Sequence, residues 1–164
     1  PYFREALETN RRVLGDEHPN TLVSIRNMGA LLQDQGKLSE AEQYYREALE
    51  TSRRVMGDEH PSTLNSVHNM GALLQGQGRL SEAEPYFREA LEGQRHAPGD
   101  EHPDTIRSLK RLHEALLLLD RTEAARALLT EFLATTNLPD DHALRMEIRG
   151  LLEAMESPSS EENG

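Results

Sequence analysis

Apolar residues recur along the chain in steps of three and four. Leu22, Ile25, Met28, Gly29 and Leu32 mark one stretch, and Leu38, Ala41, Tyr45, Ala48 and Leu49 mark the next. That spacing lines up one face of a helix, with polar and charged residues on the other faces. The pattern predicts a lone helix over about 1–14. Helix pairs then follow at about 19–35 with 39–56, 61–77 with 81–96, and 103–119 with 122–136, and a last helix lies near 141–156. The whole pattern is periodic. GDEHP stands at Gly15, Gly57 and Gly99, each 42 residues after the last, and residues 1–42 differ from 43–84 at only ten positions. A fixed period carried by whole segments reads as stacked repeats, each burying its apolar face against its neighbours.

The punctuation agrees with this reading. Pro19, Pro61 and Pro103 suit a first helical position, where the missing N–H is one of the donors left unpaired anyway. Asp16, Asp58 and Asp100, just upstream, are expected to favour the positive helix end. Gly36 and Gly78 fall where a left-handed residue ends a helix. SEAE at Ser39–Glu42 and Ser81–Glu84 has the form of a capping box. GDEHP is therefore expected to be the turn between helix pairs. The third unit departs from the others, with His113 for Gly71, Asp120 for Gly78 and Arg126 for Glu84. Gly93 and Pro98 are expected to shorten the helix before it. The last helix gathers Leu144, Ile148, Leu151, Leu152 and Met155 on one face, as a terminal cap requires.

The text MGALLQDQGKLSEAEQYYREALE, with Gly29, Gly36, Ala41, Tyr45 and Ala48 in order, resembles the tetratricopeptide repeat. Its 42-residue period, with GDEHP before the first helix, is similar to the longer variety found in kinesin light chains. The resemblance implies an all-α fold in which antiparallel helix pairs stack into a right-handed superhelix, an α-solenoid with a C-terminal capping helix. The divisions expected are a half repeat at 1–14, repeats at about 15–56, 57–98 and 99–137, the cap at about 141–156, and a disordered acidic tail at 157–164. The opening PYFREALE matches the text that opens the second half of a repeat at Pro85, and the lack of an initiator Met fits a fragment cut in mid-repeat.

Composition narrows the function. With 36% hydrophobic and 4% aromatic residues a large globular core is not expected, and a solenoid needs none. Cysteine is absent, which removes disulfides and thiolate catalysis. No apolar run spans a bilayer and no signal-peptide pattern appears, so nothing points to a membrane, and the cytoplasm is the expected compartment. A net charge of −11 disfavours nucleic acid as a partner. The adjacent Asp, Glu and His of GDEHP cannot converge on one metal ion, and Asp16 and Glu17 lack an enclosing cleft for acid catalysis. No phosphate loop or nucleophile motif is present, so the expectation is a non-enzyme with no cofactor.

In tetratricopeptide arrays the first helix of each pair lines the concave side, and the resemblance implies the groove positions. They are Val23, Arg26, Asn27, Ala30, Gln33 and Asp34 in the first unit. In the second they are Asn65, His68, Asn69, Ala72, Gln75 and Gly76, and in the third Arg107, Lys110, Arg111, Glu114, Leu117 and Leu118. Helical spacing independently puts Arg26, Ala30 and Gln33 on one stripe. Its charges are mostly basic in an acidic chain, an arrangement that focuses the field inward and favours an anionic ligand. The candidate site is Arg26, Asn27, Asn65, His68, Asn69, Arg107, Lys110 and Arg111, expected to hold an extended, acidic peptide of a protein partner. Asn amides would serve the peptide backbone, and Arg111 a carboxylate or phosphate. A second expectation is self-association. The N-terminal helix has no first helix of its own, so Tyr2, Ala6, Leu7 and Val13 would expose an apolar face to a second copy. A third is that the tail, with Glu161 and Glu162 after Glu153 and Glu156, competes for the basic third unit.

Overall fold

The computed structural model describes residues 2–96 and 99–156, and among these there are eight helices and no strand. They are α1 (Tyr2–Leu14), α2 (Pro19–Asp34), α3 (Leu38–Met56), α4 (Pro61–Gly76), α5 (Leu80–His96), α6 (Pro103–Leu118), α7 (Thr122–Thr135) and α8 (Ala143–Glu156). Each packs mainly on its neighbours in sequence, which is the contact pattern of a solenoid. The expected α-solenoid of helix pairs is the fold observed. Tail residues 157–164, and Pro98, lie outside the described residues.

The core is a continuous seam. Leu22, Ile25, Met28 and Leu32 of α2 meet Ala41, Tyr45, Ala48 and Leu49 of α3, and the set recurs in α4 with α5 and in α6 with α7. Close helix crossings set the residue types. A Cβ at Gly29 would stand 2.8 Å from the Tyr45 ring, and one at Gly71 would stand 2.9 Å from Phe87. In the third unit the pair becomes His113 with Leu129, so a larger residue on the first helix faces a smaller one on the second. Gly93, in α5, is also a packing residue, since its Cβ would fall 2.5 Å from Leu64. α5 is described over Leu80–His96 and runs on through Gly93.

Two expectations about helix ends need correction. The side-chain caps at the GDEHP turns are histidines: Nδ1 of His18, His60 and His102 accepts from the backbone N–H of Asn20, Ser62 and Asp104 at 3.1 to 3.2 Å. His142 repeats this at α8, accepting from Leu144 N–H at 3.3 Å. Asp16, Asp58 and Asp100 instead pair with Arg11, Arg53 and Arg95 of the preceding helix. The capping box also does not form at α3. The helix starts at Leu38, before Ser39, and the flanking Lys37 makes no side-chain cap bond. Glu42 is used between repeats, accepting from Gln77 and Arg79 of the next unit, both at 3.1 Å, and from Arg46 at 2.7 Å. Glu84 does the same with Arg121 and with Arg88. The stop signals hold, with Gly36 at φ 72° and Gly78 at φ 75°. Asp120, at φ 57°, keeps the left-handed turn where glycine is lost.

Candidate functional site

The eight candidate residues divide into two sets. Arg26, His68 and Lys110 occupy the same position of successive repeats, and each reaches the first helix of the following unit. Arg26 is half-buried and its Nη1 donates to Ser62 O at 3.3 Å. Burial pulls its pKa below the ordinary guanidinium value, though it stays charged. His68 is 3% exposed, its ring 5.5 Å from Phe87, and Nδ1 lies 2.9 Å from Ser108 Oγ. Lys110 Nζ lies 2.8 Å from Glu147 of α8. These three form a polar seam between repeats, and His68 is out of reach of a ligand on the surface.

His68 belongs to a satisfied buried network. The Gln94 amide, in the orientation its neighbours demand, donates to Ser108 Oγ at 2.8 Å, which leaves the Ser108 hydroxyl proton for His68 Nδ1. Accepting that proton requires a neutral imidazole. Burial, with Arg107 and Arg111 nearby and only Asp104 opposing them, pushes the His68 pKa down to about 4.

The other residues face outward. Asn27 is exposed and Asn69 half-buried, and neither side chain makes a hydrogen bond among the described residues. Asn65 Oδ1 accepts from Arg107 Nη2 at 3.2 Å, joining the second and third units. Gln33 accepts from Tyr45 Oη at 3.1 Å and so is tied to α3. An open recess of about 530 Å³ lies along α6, lined by Pro103, Ile106, Arg107, Lys110, Arg111 and Glu114. Its cations are not free of counter-charge. Arg107 pairs with Asp104 at 2.8 Å and Arg111 with Glu114 at 3.1 Å, in addition to the Lys110–Glu147 pair. All three pairs are partly exposed, so each can be exchanged for a ligand group at small cost. Val23, Leu117 and Leu118 add exposed apolar surface at the other groove positions.

Tyr2 is 85% exposed and Val13 67%, as expected of an uncovered α1, but Leu7 is buried against α2. Val13 is also no special feature, because its counterpart Val55 is 42% exposed in mid-array. The informative residues are Ala6 and Phe3. Ala6 is exposed where Ala48 and Ala90 are fully buried. Phe3 is 47% exposed where Tyr45 and Phe87 are at most 4% exposed. Comparing each half repeat with the next would have singled out Phe3 from the sequence.

Among the described residues, no three His or carboxylate side chains come together as a metal site, and no helix is long and apolar enough to cross a membrane. The Asp and His of each GDEHP copy are already engaged in the turn, as ion-pair partner and helix cap.

Known structures share this architecture. A putative kinesin light chain of Podosopora anserina with nearly identical TPR-like repeats superposes with a TM-score of 0.81 at 23% identity, over 93% of this chain and 74% of that one. BtubC (BKLC) from P. vanneervenii gives 0.73 at 19% identity, over 99% of this chain and 59% of that one. The Yersinia enterocolitica type III secretion translocator chaperone SycD gives 0.59 at 17% identity, over 86% and 94%. At these identities the likeness concerns the fold. A sequence comparison with curated proteins found no significant match. The tetratricopeptide repeat profile, however, matches residues 1–54, 24–96 and 63–136, and with the helix pairs, the glycine–aromatic crossings and the 42-residue period this makes the chain a member of the tetratricopeptide repeat family.

Proposed function

We propose that the protein is a non-catalytic interaction module that takes an extended, acidic peptide segment of another protein along the first helices of its repeats. The observation that carries this reading is the α6 recess, where Ile106 and Pro103 lie beside Arg107, Lys110 and Arg111. Such a recess takes an apolar side chain, and flanking carboxylates of the peptide exchange with Asp104 and Glu114 for the guanidinium groups. Asn27 and Asn69 have amides free to pair with peptide backbone. Arg26 and His68 support the wall from beneath. Asn65 steadies Arg107.

The test is fluorescence anisotropy of labelled acidic and basic peptide pools on the protein and on its Arg107→Glu, Lys110→Glu, Arg111→Glu triple variant, with thermal melts to establish that both are folded. Selective binding of the acidic pool that weakens with salt and is lost in the variant is the expected result. Equal binding by the variant refutes the groove.

A second reading, association of two copies through α1, is favoured by the exposure of Tyr2 and Phe3. It requires a mass that doubles with concentration in light scattering. A constant monomer mass rules it out.

A further inference from the structure

Three boundaries of the array are built from equivalent buried polar residues, where α1 meets α2, α3 meets α4 and α5 meets α6. The 42-residue period aligns Asn10, Ser52 and Gln94 on the incoming helices. On the outgoing helices it aligns Thr21, Thr63 and Thr105, and Ser24, Ser66 and Ser108. The outer two boundaries are satisfied in the same way. Asn10 Nδ2 donates to Ser24 Oγ at 2.8 Å, and the Gln94 amide donates to Ser108 Oγ at 2.8 Å and to Asp104 O at 3.0 Å. Thr21 Oγ1 donates to Gly15 O, and Thr105 Oγ1 to Gly99 O, both at 2.7 Å.

The middle boundary has the same elements without these bonds. Ser52 stands where the others carry a carboxamide, and its hydroxyl is fully buried with no partner among the described residues. Thr63 Oγ1 is also fully buried and unpaired. The two positions adjoin, since at the α5–α6 boundary Thr105 Oγ1 lies 3.3 Å from Gln94 O. Ser66, 1% exposed, donates to Ser62 O at 3.0 Å and keeps a lone pair for the donor that Asn10 and Gln94 supply elsewhere. Ser24, Ser66, Thr130 and Thr135 each donate to the carbonyl four residues back, but Ser52 does not. Buried hydroxyls are almost always paired, and leaving one without a partner costs more than a hydrogen bond gains.

We propose that the α3–α4 boundary binds one ordered water molecule, held by Ser52 Oγ, Thr63 Oγ1 and Ser66 Oγ, in the place that a carboxamide takes at the other two boundaries. The water accepts from the hydroxyls of Ser52 and Thr63 and donates to Ser66 Oγ, as the amide nitrogens of Asn10 and Gln94 donate to Ser24 and Ser108. Three partners are the usual number for an internal water. None of the three is charged, which favours a neutral ligand over an ion. An exchangeable molecule thus joins the first unit to the second where a side chain joins the others. The site is separate from the α6 recess and does not depend on the peptide-binding reading.

The experiment joins a crystal structure of the 164-residue protein, at a resolution that shows ordered solvent, to denaturant unfolding of Ser52→Ala and Ser52→Asn. Expected is density for one water at about 2.7–3.0 Å from the three hydroxyl oxygens. Ser52→Ala should lower the folding constant about two- to tenfold, because a hydrated hydroxyl loses its bond. Ser52→Asn should fold at least as well as the parent and expel the water, read as one fewer long-lived internal water by magnetic relaxation dispersion of the solvent oxygen. A Ser52→Ala variant as stable as the parent, or more so, would overturn the proposal, since deleting a dry, unpaired hydroxyl costs nothing. Density with Ser52 Oγ turned onto Ala48 O and no water beside it would overturn it as well.

Discussion

Acid should weaken the middle of the array through one histidine. His68 has an ordinary pKa of about 6.5 in the unfolded chain and a folded value pushed down to about 4. The native state therefore binds fewer protons than the unfolded state between these values. The contribution of His68 is intact above about pH 6.5, falls as pH drops toward 4, and is flat below that. The proton balance from pH 7 to pH 5 predicts a loss of about 2 kcal/mol from this residue, since each pH unit well inside the window is worth about 1.4 kcal/mol. Structurally, protonation puts a cation into a 3% exposed site beside Arg107 and Arg111 and removes the lone pair that accepts from Ser108. The assay is urea unfolding at pH 7 and pH 5 of the protein and of His68→Gln, which has no titrating group there. Carboxylates and the other histidines are common to both and cancel in the comparison. His68→Gln should be less stable at pH 7 and lose about 2 kcal/mol less than the parent on acidification. Parallel losses in the two proteins would refute the assignment of His68 as a buried neutral acceptor.

Two further outcomes follow from the backbone. Pro85 lies inside α5 at an exposed position that is Gln43 in α3, so its ring and missing N–H disturb a helix turn without packing gain. Pro85→Gln should raise stability by about 1–3 kcal/mol in a denaturant melt, and no gain would mean the helix is already relaxed around the ring. Asp120 holds φ 57° where the other repeats have glycine. Asp120→Gly should stabilise by roughly 0.5–1 kcal/mol, and a loss would show that the carboxylate makes a compensating contact.

The fold was legible because each structural rule was stated more than once. The helical period, the proline starts and the glycine stops recur at 42-residue spacing, and their agreement placed all eight helices within two residues of the observed limits. The helix caps were not legible. Histidine is an uncommon cap, so GDEHP directed attention to its aspartate, which is drawn back to an arginine of the preceding helix. Likewise Ser39–Glu42 has the letters of a capping box, but the helix begins before Ser39 and the glutamate points to the next repeat. In the candidate site, spacing along one helix could not separate residues facing the groove from those facing the next helix. Arg26, His68 and Lys110 lie on the boundary between these faces, and only the neighbour decides. Of the counter-charges, Glu114 stood on the assigned stripe, but two were missed for a related reason: Asp104 sits one turn before Arg107, off that stripe, and Glu147 arrives from α8.

The seam formed by Arg26, His68 and Lys110 gives each junction its own chemistry. The first is closed by a guanidinium on a carbonyl, the second by a neutral imidazole, and the last by a solvent-washed ammonium–carboxylate pair. Because stability in a stacked array is a sum over neighbouring units, the conditions select where unzipping begins. Salt weakens the α8 junction first, and acid weakens the junction between the second and third units. The same three positions that tie the repeats together thus set the order in which they part.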